Sequence, residues 1–100
     1  RRRHMPEPIV SPTARADLDA IVDYIFDRDP DAAEGMNERI TKAFYLLARM
    51  PFLGRVRAQL GDAVRSFAVG NYVILYRPVE DTVEIAHVYH GRRDIVRMPR

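Results

Sequence analysis

The residues able to do chemistry crowd toward the end of the chain. His87 and Tyr89 lead into the run His90-Gly91-Arg92-Arg93-Asp94, and Arg55, Arg57, Arg65 and Arg77 precede them. Guanidinium groups grip carboxylate or phosphate through paired hydrogen bonds, and imidazole can take or give a proton near neutral pH. A His-Gly turn followed by two arginines and an aspartate therefore suggests a polar patch at the end of a sheet, suited to an anionic or carboxylate-bearing target. The plainer alternative is a solvated, charged chain end. Other chemistries lack their residues. Cysteine is absent, which removes thiolate nucleophiles, disulfides and cysteine zinc sites. Neither Ser11 nor Ser66 sits in a nucleophile-elbow pattern, and the chain has no glycine-rich phosphate loop. His87 and His90 are three positions apart on an expected strand, so they point to opposite faces and cannot share one metal ion. No metal site and no cofactor is expected.

These residues need a scaffold, and composition sets its scale. One hundred residues, 47% hydrophobic and 30% charged, correspond to one ordinary globular domain. No apolar run approaches the roughly 20 residues of a membrane helix. The cytoplasm is the expected compartment, with no membrane partner. Arg1-Arg2-Arg3-His4 reads as a cloning remnant ahead of a natural start at Met5, leaving a single expected domain over 6–98. Without the three leading arginines the chain has 13 basic and 14 acidic residues, so its basic character is no argument for sequence-specific nucleic-acid binding. Charge is unevenly spread. His4 to Ala48 has four basic and nine acidic residues; Arg49 to Arg100 has nine arginines and five acids. Two faces with different partners would produce that split, as would two solvated faces.

The positioning elements follow from periodicity. Glu7-Pro8-Ile9-Val10 reads as a short edge strand, since it contains proline. Ser11-Pro12 is a helix start, with serine as N-cap and proline at the first helical position. Ala14, Leu18, Ile21, Val22 and Ile25 form one stripe of that helix, with Asp19, Asp23 and Asp27 on another side. Asp29-Pro30 opens a second helix with the stripe Ala33, Met36, Ile40, Ala43, Phe44 and Leu47, which Pro51 stops. The short connection predicts an antiparallel αα-hairpin. The period then falls to two. Ala63 to Val69, Tyr72 to Tyr76 and Thr82 to His90 are strands, joined by turns at Gly70-Asn71 and Glu80-Asp81, with Pro78 ending the middle one. The expected fold is α+β, β-α-α-β-β-β, an antiparallel sheet with the hairpin packed on one face.

Ala14, Asp17, Leu18, Ile21, Tyr24 and Ile25 form a pattern that resembles the first helix of ParE/RelE toxins. Leu47, Met50-Pro51 and Gly54 resemble that family's helix exit. Val64-Arg65-Ser66-Phe67, then Asn71 to Arg77, then His90-Gly91-Arg92-Arg93-Asp94 are similar to its three-strand meander. The ordered set covers about Pro6 to Ile95. The resemblance implies the same β-α-α-β-β-β fold and a type II toxin–antitoxin system, in which an antitoxin tail wraps the toxin as a hetero-oligomer.

Within the family, ParE-type members poison DNA gyrase by binding, whereas RelE-type members cut ribosome-bound mRNA. Cutting RNA means activating a 2′-hydroxyl, protonating the leaving oxygen and stabilising a phosphorane. Arg65, Arg77, His87 and His90 are the groups that could serve that alternative. The second half has no lysine, arginine is a poor proton donor, and Ile95 to Arg100 contains neither tyrosine nor histidine. The resemblance thus favours a ParE-like, non-enzymatic gyrase inhibitor neutralised by a ParD-like antitoxin. His90, Arg92 and Arg93 are expected at the target face. Leu18, Ile25, Met36, Ile40 and Phe44 are expected to receive the antitoxin. A degenerate, non-toxic partner-binding member is a third possibility.

Overall fold

The computed structural model describes residues 5–92. Its elements run β1 (Ile9–Val10), α1 (Pro12–Phe26), α2 (Pro30–Arg49), β2 (Arg55–Val56), a 3-10 turn (Ala58–Leu60), β3 (Arg65–Val69), β4 (Tyr72–Val79) and β5 (Thr82–His90). Both helix starts form as their residue types dictate. The Ser11 hydroxyl accepts from the Ala14 N–H at 3.0 Å, and Asp29 Oδ1 accepts from the Ala32 N–H at 3.1 Å. Each cap is followed by proline at the head of the helix. Such caps satisfy donors that the first helical turn leaves free.

The sheet order is β1-β5-β4-β3-β2. Three contacts are antiparallel, but β1 lies parallel to β5, with Ile9 opposite Glu84 and Val10 opposite Ile85. The sheet is therefore mixed, because the chain returns from β1 through both helices and three strands before β5 reaches it. β2 is an addition to the expected order; two residues are too few to carry an alternating pattern. Pro78 lies inside β4 instead of ending it. Val79 and Thr82 close the two-residue turn, so Pro78, one step back, aims its nitrogen away from β5. On that side β3 has already stopped at the Arg65–Tyr76 pair, and the missing N–H breaks no ladder bond.

The helical hairpin covers one sheet face. Leu18 and Ile21 from α1 and Ile40, Phe44 and Leu47 from α2 pack on Tyr72, Ile74 and Tyr76 of β4 and Val83, Ile85 and Val88 of β5. β4 thus sends Tyr72, Ile74 and Tyr76 inward and Val73 and Leu75 to the opposite face. A register shift intervenes: Tyr76 faces Ile85 while Leu75 faces His87, leaving Ala86 as the extra residue of a bulge. Beyond it Val88 returns to the core.

Candidate functional site

The sheet face away from the helices collects polar chemistry. His87, opposite Leu75, and Tyr89, opposite Val73, project there from β5. Because β1 pairs only as far as Ile85, the rest of that edge of β5 needs other partners. Helix α1 and its cap supply them. Ser11 N–H donates to the Ile85 carbonyl at 3.0 Å, Ser11 Oγ to the Ala86 carbonyl at 3.1 Å, and Asp17 Oδ2 accepts from the Val88 N–H at 3.0 Å. The same carboxylate oxygen lies 3.4 Å from His87 Nδ1, an ion pair when the imidazole is protonated. His87 then borders a cavity of about 170 Å³, lined also by Leu60, Val64, Leu75, Arg77 and Ala86. Arg77 Nη2 is 2.8 Å from Glu84 Oε1. Arg57 reaches Ser66 Oγ at 3.4 Å. Burial pushes the Tyr89 phenol above its ordinary pKa of 10.0, against the opposing charge and hydrogen bond of Arg57.

A second polar cluster fixes the loop after α2. Arg65 Nη1 donates to the Gly54 carbonyl at 2.7 Å and the Phe52 carbonyl at 3.1 Å, with its guanidinium 5.1 Å from the centre of the Phe52 ring. The Tyr76 hydroxyl accepts from the Gly54 N–H at 2.7 Å and donates to the Pro51 carbonyl at 2.9 Å. Burial raises this phenol's pKa, with the Gly54 hydrogen bond and the Arg65 charge acting in the opposite direction. Gly54 is glycine because a Cβ there would overlap the Tyr76 hydroxyl and come within 2.8 Å of the Ser66 carbonyl oxygen.

The family model for the ParE toxin of the parDE type II toxin–antitoxin system matches residues 9–95. The chain belongs to the ParE toxin family. Among its relatives, Toxin ParE1 of Mycobacterium tuberculosis is 31% identical over 91 residues, which is 89% of this chain and 93% of that protein. Toxin RelE3 of Caulobacter vibrioides is 33% identical over 83 residues, 82% of this chain and 90% of that one. A solved structure described as the chromosomal ParDE toxin–antitoxin system from P. aeruginosa superposes with a TM-score of 0.72 over 88% of this chain and 98% of that chain. At 22% identity that likeness concerns the fold.

Seen on this toxin, the four groups named for RNA cleavage do not converge. Arg77 and His87 lie on the open sheet face and border the same cavity, but the other two do not join them there. Arg65 turns to the helix side and holds the loop. His90 packs edge-on against the core residue Tyr72, ring centres 5.1 Å apart, and its Nδ1 accepts from the Arg92 N–H at 3.2 Å. Arg92 is exposed at the end of β5, and Arg93 lies outside the described residues. Of the residues expected to receive an antitoxin, three lie in the core. Leu18 and Ile40 are 0% exposed and Phe44 1%, so the core uses their whole surface. Ile25 and Met36 are partly buried against that core. The helical stripe was legible, and its Leu18, Ile40 and Phe44 fill the core. Asp17, which entered the sequence reading only through the helix pattern that resembles ParE/RelE toxins and was given no chemical role there, is brought to His87 and Val88 by the fold. The exposed apolar stretch Met50, Phe52, Leu53 and Val56 was also missed.

Proposed function

We propose that this ParE-family toxin arrests growth in the cytoplasm by binding DNA gyrase, and that a ParD-like antitoxin holds it inactive in a hetero-oligomer. The observation carrying the choice of binding over chemistry is the dispersal of Arg65, Arg77, His87 and His90 over two sheet faces. Acid, base and charge must meet around one phosphate, within hydrogen-bond reach, to cut RNA. All four also have contacts within the protein: two loop carbonyls for Arg65, Glu84 for Arg77, Asp17 for His87, and the Tyr72 ring with the Arg92 N–H for His90. Exposed Arg92, one residue past His90 and Gly91, suits contact with a macromolecular target, and Arg93 is assigned with it on sequence grounds. Gyrase supercoiling with purified toxin is the test. Inhibition with trapped, cleaved DNA is expected; undisturbed supercoiling with no trapped DNA overturns the reading.

The similarity to a relative named RelE3 favours a second reading, ribosome-dependent mRNA cleavage. Primer extension on translated message after induction separates the two, because discrete cuts lost in a His87→Ala variant belong only to the nuclease. Normal growth on overexpression without antitoxin would instead mark a non-toxic binding module.

A further inference from the structure

The segment between α2 and the 3-10 turn presents apolar surface to solvent. Met50 is 50% exposed, Phe52 70%, Leu53 44% and Val56 58%. It is not a slack loop: Arg65 and Tyr76 tie down Pro51, Phe52 and Gly54 by four hydrogen bonds. A rigid, outward-facing apolar patch is a surface prepared for another molecule. Beside it runs an open sheet edge. β2 is the last strand of the sheet, and the Arg57 N–H donates inward to the Val64 carbonyl at 2.8 Å. Alternation along an antiparallel strand then points the Val56 N–H and carbonyl outward, away from β3. Edges of this kind accept an added strand.

Charge narrows the occupant. From Arg39 to Gly61 the chain has five basic residues (Arg39, Lys42, Arg49, Arg55 and Arg57) and no acidic one. A second copy of this chain docked by a two-fold axis would set Arg49, Arg55 and Arg57 against themselves. An extended segment with alternating apolar side chains and carboxylates meets the edge, the apolar patch and the arginines together.

We infer that the β2 edge and the Met50–Val56 patch receive an extended acidic and apolar segment of the antitoxin. The inference rests on the reading of this chain as antitoxin-bound and moves the contact off the helical stripe. The probe is the purified product of the gene adjoining the toxin's, titrated against wild-type toxin and the variants Val56→Asp, Arg55→Glu and Phe26→Ser. The first two should each weaken binding at least tenfold. Phe26→Ser, an exposed apolar change at the far end of α1, should alter it less than twofold. Hydrogen exchange should show the Val56 amide gaining protection in the wild-type complex. Thermal midpoints matching wild type establish that each variant is folded, and Arg55→Glu serves if Val56→Asp is not. Wild-type affinity in a folded variant, with the Val56 amide unprotected, overturns the docking site and leaves the antitoxin reading intact. Absence of binding to wild type overturns both. A wild-type dimer that Val56→Asp dissociates without antitoxin makes a second copy the occupant and overturns the inference.

Discussion

Replacing Tyr76 with phenylalanine should loosen the loop after α2 while leaving the core filled. The ring is 1% exposed and packs within the core, and phenylalanine keeps that volume. What disappears is the hydroxyl that bridges the Gly54 N–H and the Pro51 carbonyl. A buried donor left without a partner costs about 1–3 kcal/mol, and the Gly54 bond is the buried one of the two. The Pro51 bond is only part-buried, so that carbonyl can turn to water and adds little. The expected loss is about 2 kcal/mol, which in a domain of this size lowers the melting temperature by about 10 °C. Urea unfolding of wild type, Tyr76→Phe, Arg65→Met and the double variant measures it. Arg65 grips the same loop at Gly54, so the two single losses should not add. A loss below about 0.5 kcal/mol for Tyr76→Phe, or strict additivity in the cycle, would show that this hydroxyl does not hold the loop.

Three further outcomes follow from the same contacts. The folded-state pKa values of Tyr76 and Tyr89 lie above the ordinary 10.0, so the folded chain retains protons that the unfolded chain gives up; stability should be level below about pH 10 and fall as pH rises above it, with a shallower fall in Tyr76→Phe, read from urea midpoints across pH 8–11. Gly54→Ala should destabilise by about 1–3 kcal/mol or more, because the new methyl meets both the Tyr76 hydroxyl and a strand carbonyl, and calorimetry should show a lower melting temperature than for Gly35→Ala, where nothing lies within 4 Å. Ser11→Ala removes the α1 cap and the bond to the Ala86 carbonyl together, and should cost about 1–2 kcal/mol in chemical denaturation, where Ser11→Thr, keeping a hydroxyl, should cost less.

Much of this architecture could be read from the chain because local chemistry and global fold agree. Ser11-Pro12 and Asp29-Pro30 each carry a cap and a preset φ, and both helices begin there. Gly70 takes a φ of 59° at the first turn position, and the hairpin closes with Val69 opposite Tyr72 as its spacing predicts. β1 and β2 were harder because each has two residues, and their pairings are set by partners far along the chain. The direction of β1 is a property of the route through two helices, which periodicity does not encode. The site was less legible than the fold. Residue type marks Arg65 as a possible charge donor, yet its bonds to Gly54 and Phe52 depend on a loop that only folding brings beneath it. Asp17 meets Val88 across 71 positions, a distance at which one sequence by itself has no signal.

The seam where β1 meets β5 has a bearing on how the protein is born. Thr82 Oγ1 donates to the Glu7 carbonyl at 2.7 Å, and Ser11 Oγ to that of Ala86, both spanning 75 positions. A growing polypeptide can coil its first two helices early, but their apolar stripe has nothing to lie on until β4 and β5 arrive, and contacts between such remote positions are the slow ones to form. Nascent chains truncated before residue 82 should therefore be protease-sensitive and inert. The fold is thus complete only once β5 has been made, because β1 pairs with it and the helical stripe packs on it.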